Sequence, residues 1–127
     1  MQEKHVFEYA VIRVVPRVER EEFINAGVIL YCRQQRFLKA MIRLNEGRYH
    51  CFSPEIGAEE IKRYLKTFED ISEGNRDGGP IAELDIASRF RWLTAMRSTM
   101  VQSSRVHPGL CSDAEAALKK LFEQLVL

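Results

Sequence analysis

Guanidinium and carboxylate groups crowd into one short stretch of this chain. Arg13, Arg17 and Arg20 stand with Glu19, Glu21 and Glu22, and Asn25 lies two residues before Gly27. Guanidinium forks recognise carboxylates and phosphates through paired hydrogen bonds. One reading of the block is an anion or carboxylate pocket. Arg13 and Arg17 would supply the forks, Asn25 an amide, and Glu22 an orienting partner or base. The other reading is a scaffold of ion pairs, in which the glutamates neutralise the arginines and stiffen a connection.

A second cluster surrounds the only tryptophan. Arg89, Arg91 and Arg97 bracket Trp92, and Ser98 and Thr99 follow directly. At a helix-to-strand junction, Arg97, Ser98 and Thr99 would offer a phosphate one guanidinium and two hydroxyls. Trp92 would offer its face to a base. The competing reading packs Trp92 into the core and leaves Arg89 and Arg91 in water. The arginine spacing matches no glycine-rich phosphate loop. His50 and Cys51 are adjacent but lack further ligands at zinc spacing. Cys111 lies close behind His107, and a nucleophile pair there would still need an orienting group. No metal site is expected.

These residues must be positioned by elements that the hydrophobic pattern marks out. Residues 6–15 read as a strand with Phe7, Tyr9, Val11, Arg13 and Val15 on one face and Val6, Glu8, Ala10, Ile12 and Val14 on the other. Both faces are apolar over the second half, as in a strand covered on both sides. Pro16 lacks the amide hydrogen a ladder needs and ends it. A helical turn is expected over 20–26, then Gly27 swings the chain into a second strand at 28–32. The polar break at 33–36 has hairpin length, and 37–44 alternate as a third strand. Its clean face, Leu38, Ala40, Ile42 and Leu44, points to the core, and the other points to solvent or a partner. Residues 48–52 read equally as strand or loop.

Pro54 and Glu55 open a helical region in which Ala58, Ile61, Tyr64, Leu65, Phe68 and Ile71 recur at three- and four-residue steps. Residues 74–80, with three glycines and a proline, read as a flexible loop. A second helix is expected over 82–96 and a last strand over 98–106, ended by His107, Pro108 and Gly109. Ser112, Asp113, Ala114 and Glu115 form a capping-box signature that opens a C-terminal helix. Short links imply an antiparallel meander. The fold class is α+β: a mainly antiparallel sheet of about four strands, in the order β-β-β-α-α-β-α, covered by three helices.

Length and composition bound the rest. The 127 residues, 46% hydrophobic and 29% charged, suit one domain with its own core. No stretch is apolar enough for a membrane span or signal peptide, and an odd set of three dispersed cysteines fits a reducing, cytoplasmic setting. The net charge of +1 hides an uneven distribution. Residues 13–48 carry eight Lys/Arg against four Asp/Glu, residues 55–87 four against nine, and residues 89–107 four arginines without an acid. A near-neutral total argues against sequence-independent nucleic-acid binding.

Four groups of residues carry a resemblance. They are Tyr9-x-x-x-Arg13-x-x-Pro16-Arg17; Glu22-Phe23-x-Asn25-x-Gly27-Val28; Arg89-Phe90-x-Trp92-Leu93-x-Ala95-x-Arg97-Ser98-Thr99; and Val106-His107-x-Gly109. In this order they resemble the bacterial family known as domain of unknown function 3037, over nearly the whole chain. The resemblance implies a small single-domain protein, often encoded beside a HipA-like kinase-fold protein, with no assigned reaction. Both arginine clusters belong to that signature. If the first and last strands are neighbours, Arg13, Arg17, Glu22, Asn25, Arg97, Ser98 and Thr99 would form one site. Two functions are therefore expected. The first is a non-enzymatic binding or regulatory module acting with a partner, such as the kinase-fold protein. The alternative is an enzyme or sensor of a phosphorylated small molecule, nucleotide or nucleic-acid end. The sequence names no cofactor and does not decide whether a reaction occurs.

Overall fold

A computed structural model describes residues 3–52, 54, 56–95 and 100–127, and the backbone but not the side chain of Val18. Five strands form one antiparallel sheet: β1 (His5–Val14), β2 (Ile24–Cys32), β3 (Phe37–Ile42), β4 (Val101–Ser103) and β5 (His107–Cys111). The order β3-β2-β1-β4 has β5 beside β1 as well. The helices are α1 (Glu46–Cys51), α2 (Ala58–Glu73), α3 (Ile86–Thr94) and α4 (Ala114–Leu125). The class is α+β, as expected.

The sheet has two packed faces. Ala10, Ile12 and Val14 of β1 join Ile24 and Ile29 of β2 beneath Ile61, Leu65 and Phe68 of α2 and Phe90 and Leu93 of α3. Phe7 of β1, Val28, Leu30 and Cys32 of β2 and Cys111 of β5 pack against Ala114 and Leu118 of α4. Burying each such aliphatic or aromatic side chain contributes about 1.5–3 kcal/mol. The second face of β3 is therefore not free for solvent or a partner. Phe37 and Met41 pack toward α4, and Lys39 Nζ bonds Glu115 Oε1 at 3.0 Å.

Several boundaries differ from expectation for local reasons. The connection after Pro16 takes a 3-10 turn at Val18–Arg20, and β2 begins at Ile24. Gly27 lies inside β2, because the pairing shifts there. Ile12 opposes Gly27 while Arg13 opposes Asn25, leaving Ala26 as a bulge. A Cβ on Gly27 would stand 2.6 Å from the Met41 carbonyl oxygen, so glycine is needed for close approach. Residues 46–51 are helical because the Asn45 side chain caps them, accepting from the Arg48 N–H at 3.0 Å. Residues 74–80 are not an irregular loop. Gly74, at φ +73, ends α2, and 3-10 turns follow at Arg76–Gly78 and Pro80–Glu83.

The expected last strand is split. β4 pairs with β1 at Ile12 to Val14, and β5 pairs with it from His5 to Tyr9. Between them Ser104 turns its hydroxyl inward to accept from the Val11 N–H at 2.8 Å, replacing a ladder bond. Pro108 does not end the sheet but sits in an edge strand, where its missing N–H is tolerated. The Asp113 side chain does not cap α4. Gln35 does so from the β2–β3 turn, accepting from Ala114 N–H at 2.8 Å and donating to the Ser112 carbonyl at 2.7 Å.

Candidate functional site

β-sheet register brings Arg13 and Asn25 together. They are cross-strand partners beside the bulge, and both lie on the α4 side of the sheet. Asn25 Nδ2 donates to the Leu125 carbonyl at 3.1 Å, closing the last turn of α4 onto β2. The Arg13 guanidinium carbon lies 4.2 Å from the centre of the Phe23 ring, a cation–π contact. Arg13 Nε and Asn25 Oδ1 are buried and unpartnered among the described residues.

Four other charged residues of the block form two local pairs. Arg17 Nη1 stands 3.7 Å from Glu19 Oε1, and Arg20 Nε bonds Glu22 Oε1 at 2.7 Å. Glu22 thus serves Arg20 and orients neither Arg13 nor Arg17. The ion-pair reading holds for Arg17 and Arg20. It fails for Arg13, which rests on an aromatic ring.

Arg97, Ser98 and Thr99 lie outside the described residues, as does Met96. The strand that follows them is a neighbour of β1. Val101 pairs with Val14, and the Val15 N–H donates to the Met100 carbonyl at 2.7 Å.

The tryptophan cluster reverses its packing expectation. Arg89, not Trp92, is the buried member. Its Nη1 reaches the Ile71 carbonyl at 3.4 Å near the end of α2, where the helix dipole favours a cation; the same carbonyl also accepts from the Gly74 N–H at 3.1 Å. A Cβ on Gly74 would stand 2.2 Å from Arg89 Nη1. Trp92 is 37% exposed and Arg91 faces water. With Tyr64, 48% exposed, Trp92 rims a groove of about 550 Å³ between α2, α3 and β4. Phe68, Ile71 and Leu93 lie at its base, and Val101 to Ser103 form one wall. The sequence pattern could not locate this groove, because Tyr64 recurs at the spacing of the core residues of α2 and nothing local to Trp92 shows which element it faces.

His107 and Cys111 stand at opposite ends of β5, so they do not form a nucleophile pair. The His107 ring packs on Tyr9, with centroids 5.3 Å apart. Burial pushes the Cys111 thiol above its ordinary pKa, and the neighbouring Cys32 adds to this. Among the described residues, no three His, Cys, Asp or Glu side chains gather as a metal site would need. No described helix is long and apolar enough to cross a membrane.

An antiparallel sheet carries the Arg13–Asn25 pair at a bulge, and α3 carries Arg89, Phe90, Trp92 and Leu93. The family model described as a protein of unknown function, DUF3037, matches residues 9–126. The chain belongs to this family. No curated protein and no solved structure matches it.

Proposed function

We propose that this protein is a non-enzymatic binding or regulatory module that works with a partner protein, a HipA-like kinase-fold protein being the first candidate. The observation that supports this reading is the groove between α2, α3 and β4. Two exposed aromatic side chains, Trp92 and Tyr64, flank an apolar base in it. Aromatic side chains around a concave apolar surface are the usual anchors of protein interfaces. The arginine block favours the enzyme or phosphate-sensor reading less. Two of its guanidiniums already meet glutamates, and Glu22 is held by Arg20.

Co-purification with the kinase-fold protein, followed by calorimetry, tests the reading. The expected result is a complex that Trp92→Ala or Tyr64→Ala weakens at least about tenfold. Failure to co-purify, or a complex indifferent to both substitutions, would overturn it. Stabilisation by a nucleotide or phosphosugar that Arg13→Ala abolishes would favour the alternative.

A further inference from the structure

Only half of the face beneath α2 and α3 is covered. Along β1, Ala10, Ile12 and Val14 are buried there, but Glu8 is exposed and Val6 is 58% exposed. Val6 pairs with Leu110 of β5, which is 67% exposed, and Glu8 pairs with the exposed Pro108 on one side and with Tyr31 on the other. The helix layer stops at Tyr31, whose ring lies 5.3 Å from that of Phe90 in α3. Beyond it, Val6, Glu8, Tyr31, Arg33, Gln34 and Arg36 line a hollow of about 630 Å³.

The charges of this bare face are unpaired. Glu8, Arg33 and Arg36 are exposed, and among the described residues none of them makes an ion pair. The face therefore carries an apolar centre together with free charges of both signs. A surface of that kind is complementary to itself. In a two-fold arrangement, each Glu8 can meet Arg33 or Arg36 of the other copy while Val6 and Leu110 pack together. A bare sheet face packs about 10 Å from another, with side chains interdigitated.

We propose that a second copy of this chain docks on the half-face formed by Val6, Glu8, Tyr31, Arg33 and Leu110, making a two-fold dimer whose sheets pack face to face. The surface is separate from the Trp92 groove, so the dimer does not depend on the groove's function and leaves that groove available to a partner.

Sedimentation equilibrium of the full chain is the test. The wild-type chain is expected to dimerise at micromolar concentrations. Leu110→Glu should raise the dissociation constant at least about a hundredfold, with an unchanged far-ultraviolet circular dichroism spectrum. Arg33→Glu or Glu8→Arg alone should weaken the dimer at least about tenfold, and the two together should recover it, because the exchange restores opposite charges across the two-fold. A chain that stays monomeric would overturn the proposal. So would a dimer unaffected by Leu110→Glu and by both charge reversals, or one broken instead by Trp92→Ala. A monomer that binds the kinase-fold protein through Leu110 would also overturn it and assign the face to a different occupant. Should Leu110→Glu fail to fold, Leu110→Ser and the two charge reversals carry the same test.

Discussion

Val6 and Val14 lie on the same face of the same strand, yet one is 58% exposed and the other fully buried. At the Val14 end, α2 and α3 close over the sheet, and on its other side Asn25 holds the end of α4 while Arg13 rests on Phe23. At the Val6 end no described helix covers that face, and Glu8, Arg33 and Arg36 make no ion pair among the described residues. Charge density in the sequence points to the first end, where polar groups mostly satisfy one another. The less conspicuous second end has apolar side chains in water and charges without partners. Local density of charged residues measures composition, whereas availability depends on what folds over them.

The largest effect should come from the tightest point of the covered end. Gly27→Val would push a side chain into the Met41 carbonyl and the Ile12 and Ile42 side chains, which stand 2.6 to 3.1 Å from the position of its Cβ. Neither the ladder nor the core can yield cheaply. A loss of about 3 kcal/mol is expected in urea denaturation at unchanged m-value. A loss below about 1 kcal/mol would mean that the bulge relaxes, and that the Arg13–Asn25 register is softer than the packing implies. Next in size is Val14→Ala, which should cost about 2 kcal/mol through lost burial and a residual cavity.

Asn25→Ala probes the polar half of the covered end. It removes the donor to the Leu125 carbonyl and leaves that carbonyl short of a partner. A loss of about 1–1.5 kcal/mol is expected, with faster amide exchange confined to the last turn of α4. An unchanged α4 would show that the pair does not hold the helix end, reopening an exchangeable, ligand-binding role for Arg13 and Asn25.

The antiparallel β1–β2 pairing was legible from the strand patterns and put Arg13 and Asn25 at one end of the sheet, but not as cross-strand partners: residues 20–26 read as a helical turn, and the bulge at Ala26 that lets β2 start at Ile24 leaves no mark in the sequence. The burial of Ala10, Ile12 and Val14 was legible as well, since both faces of β1 become apolar in its second half. The exposure of Val6 was not: the alternation puts it with Ala10, Ile12 and Val14, and only the reach of the helix layer leaves it uncovered. Three other features were not legible either. β5 was hidden because Pro108 normally stops a strand, and only its edge position tolerates it. The burial of Arg89 was hidden, since a cation that meets another helix's end has no mark in its own helix. Ser112 to Glu115 spell a capping box, whereas Gln35 caps α4 from a turn far away in sequence. Each of these depends on a tertiary partner.

Acid should loosen the helical cover of the sheet. Asp85 caps α3, accepting from the Ser88 N–H at 2.7 Å. That backbone bond, reinforced by the Ser88 hydroxyl, holds the Asp85 carboxyl below its ordinary pKa. A carboxyl with a depressed folded pKa contributes its stability above its unfolded value and loses it as pH falls through the folded one. Below about pH 4, the melting temperature should therefore fall less steeply for Asp85→Asn, which keeps an amide acceptor but cannot titrate, than for the wild-type chain. Identical slopes would show that the α3 cap is not coupled to acid unfolding.

The smallest effect on stability should be at Val6, and it sharpens the comparison most. Val6→Ala deletes the same atoms as Val14→Ala, on the same face of the same strand, so propensity and chemistry largely cancel between them. In dilute solution, where the chain is monomeric, its stability should change by less than about 0.5 kcal/mol. At concentrations that favour the dimer, the same substitution should lower the melting temperature, because the contact it trims exists only between copies. A loss near that of Val14→Ala at every concentration would mean that the chain itself covers Val6, and the two ends of β1 would then be alike.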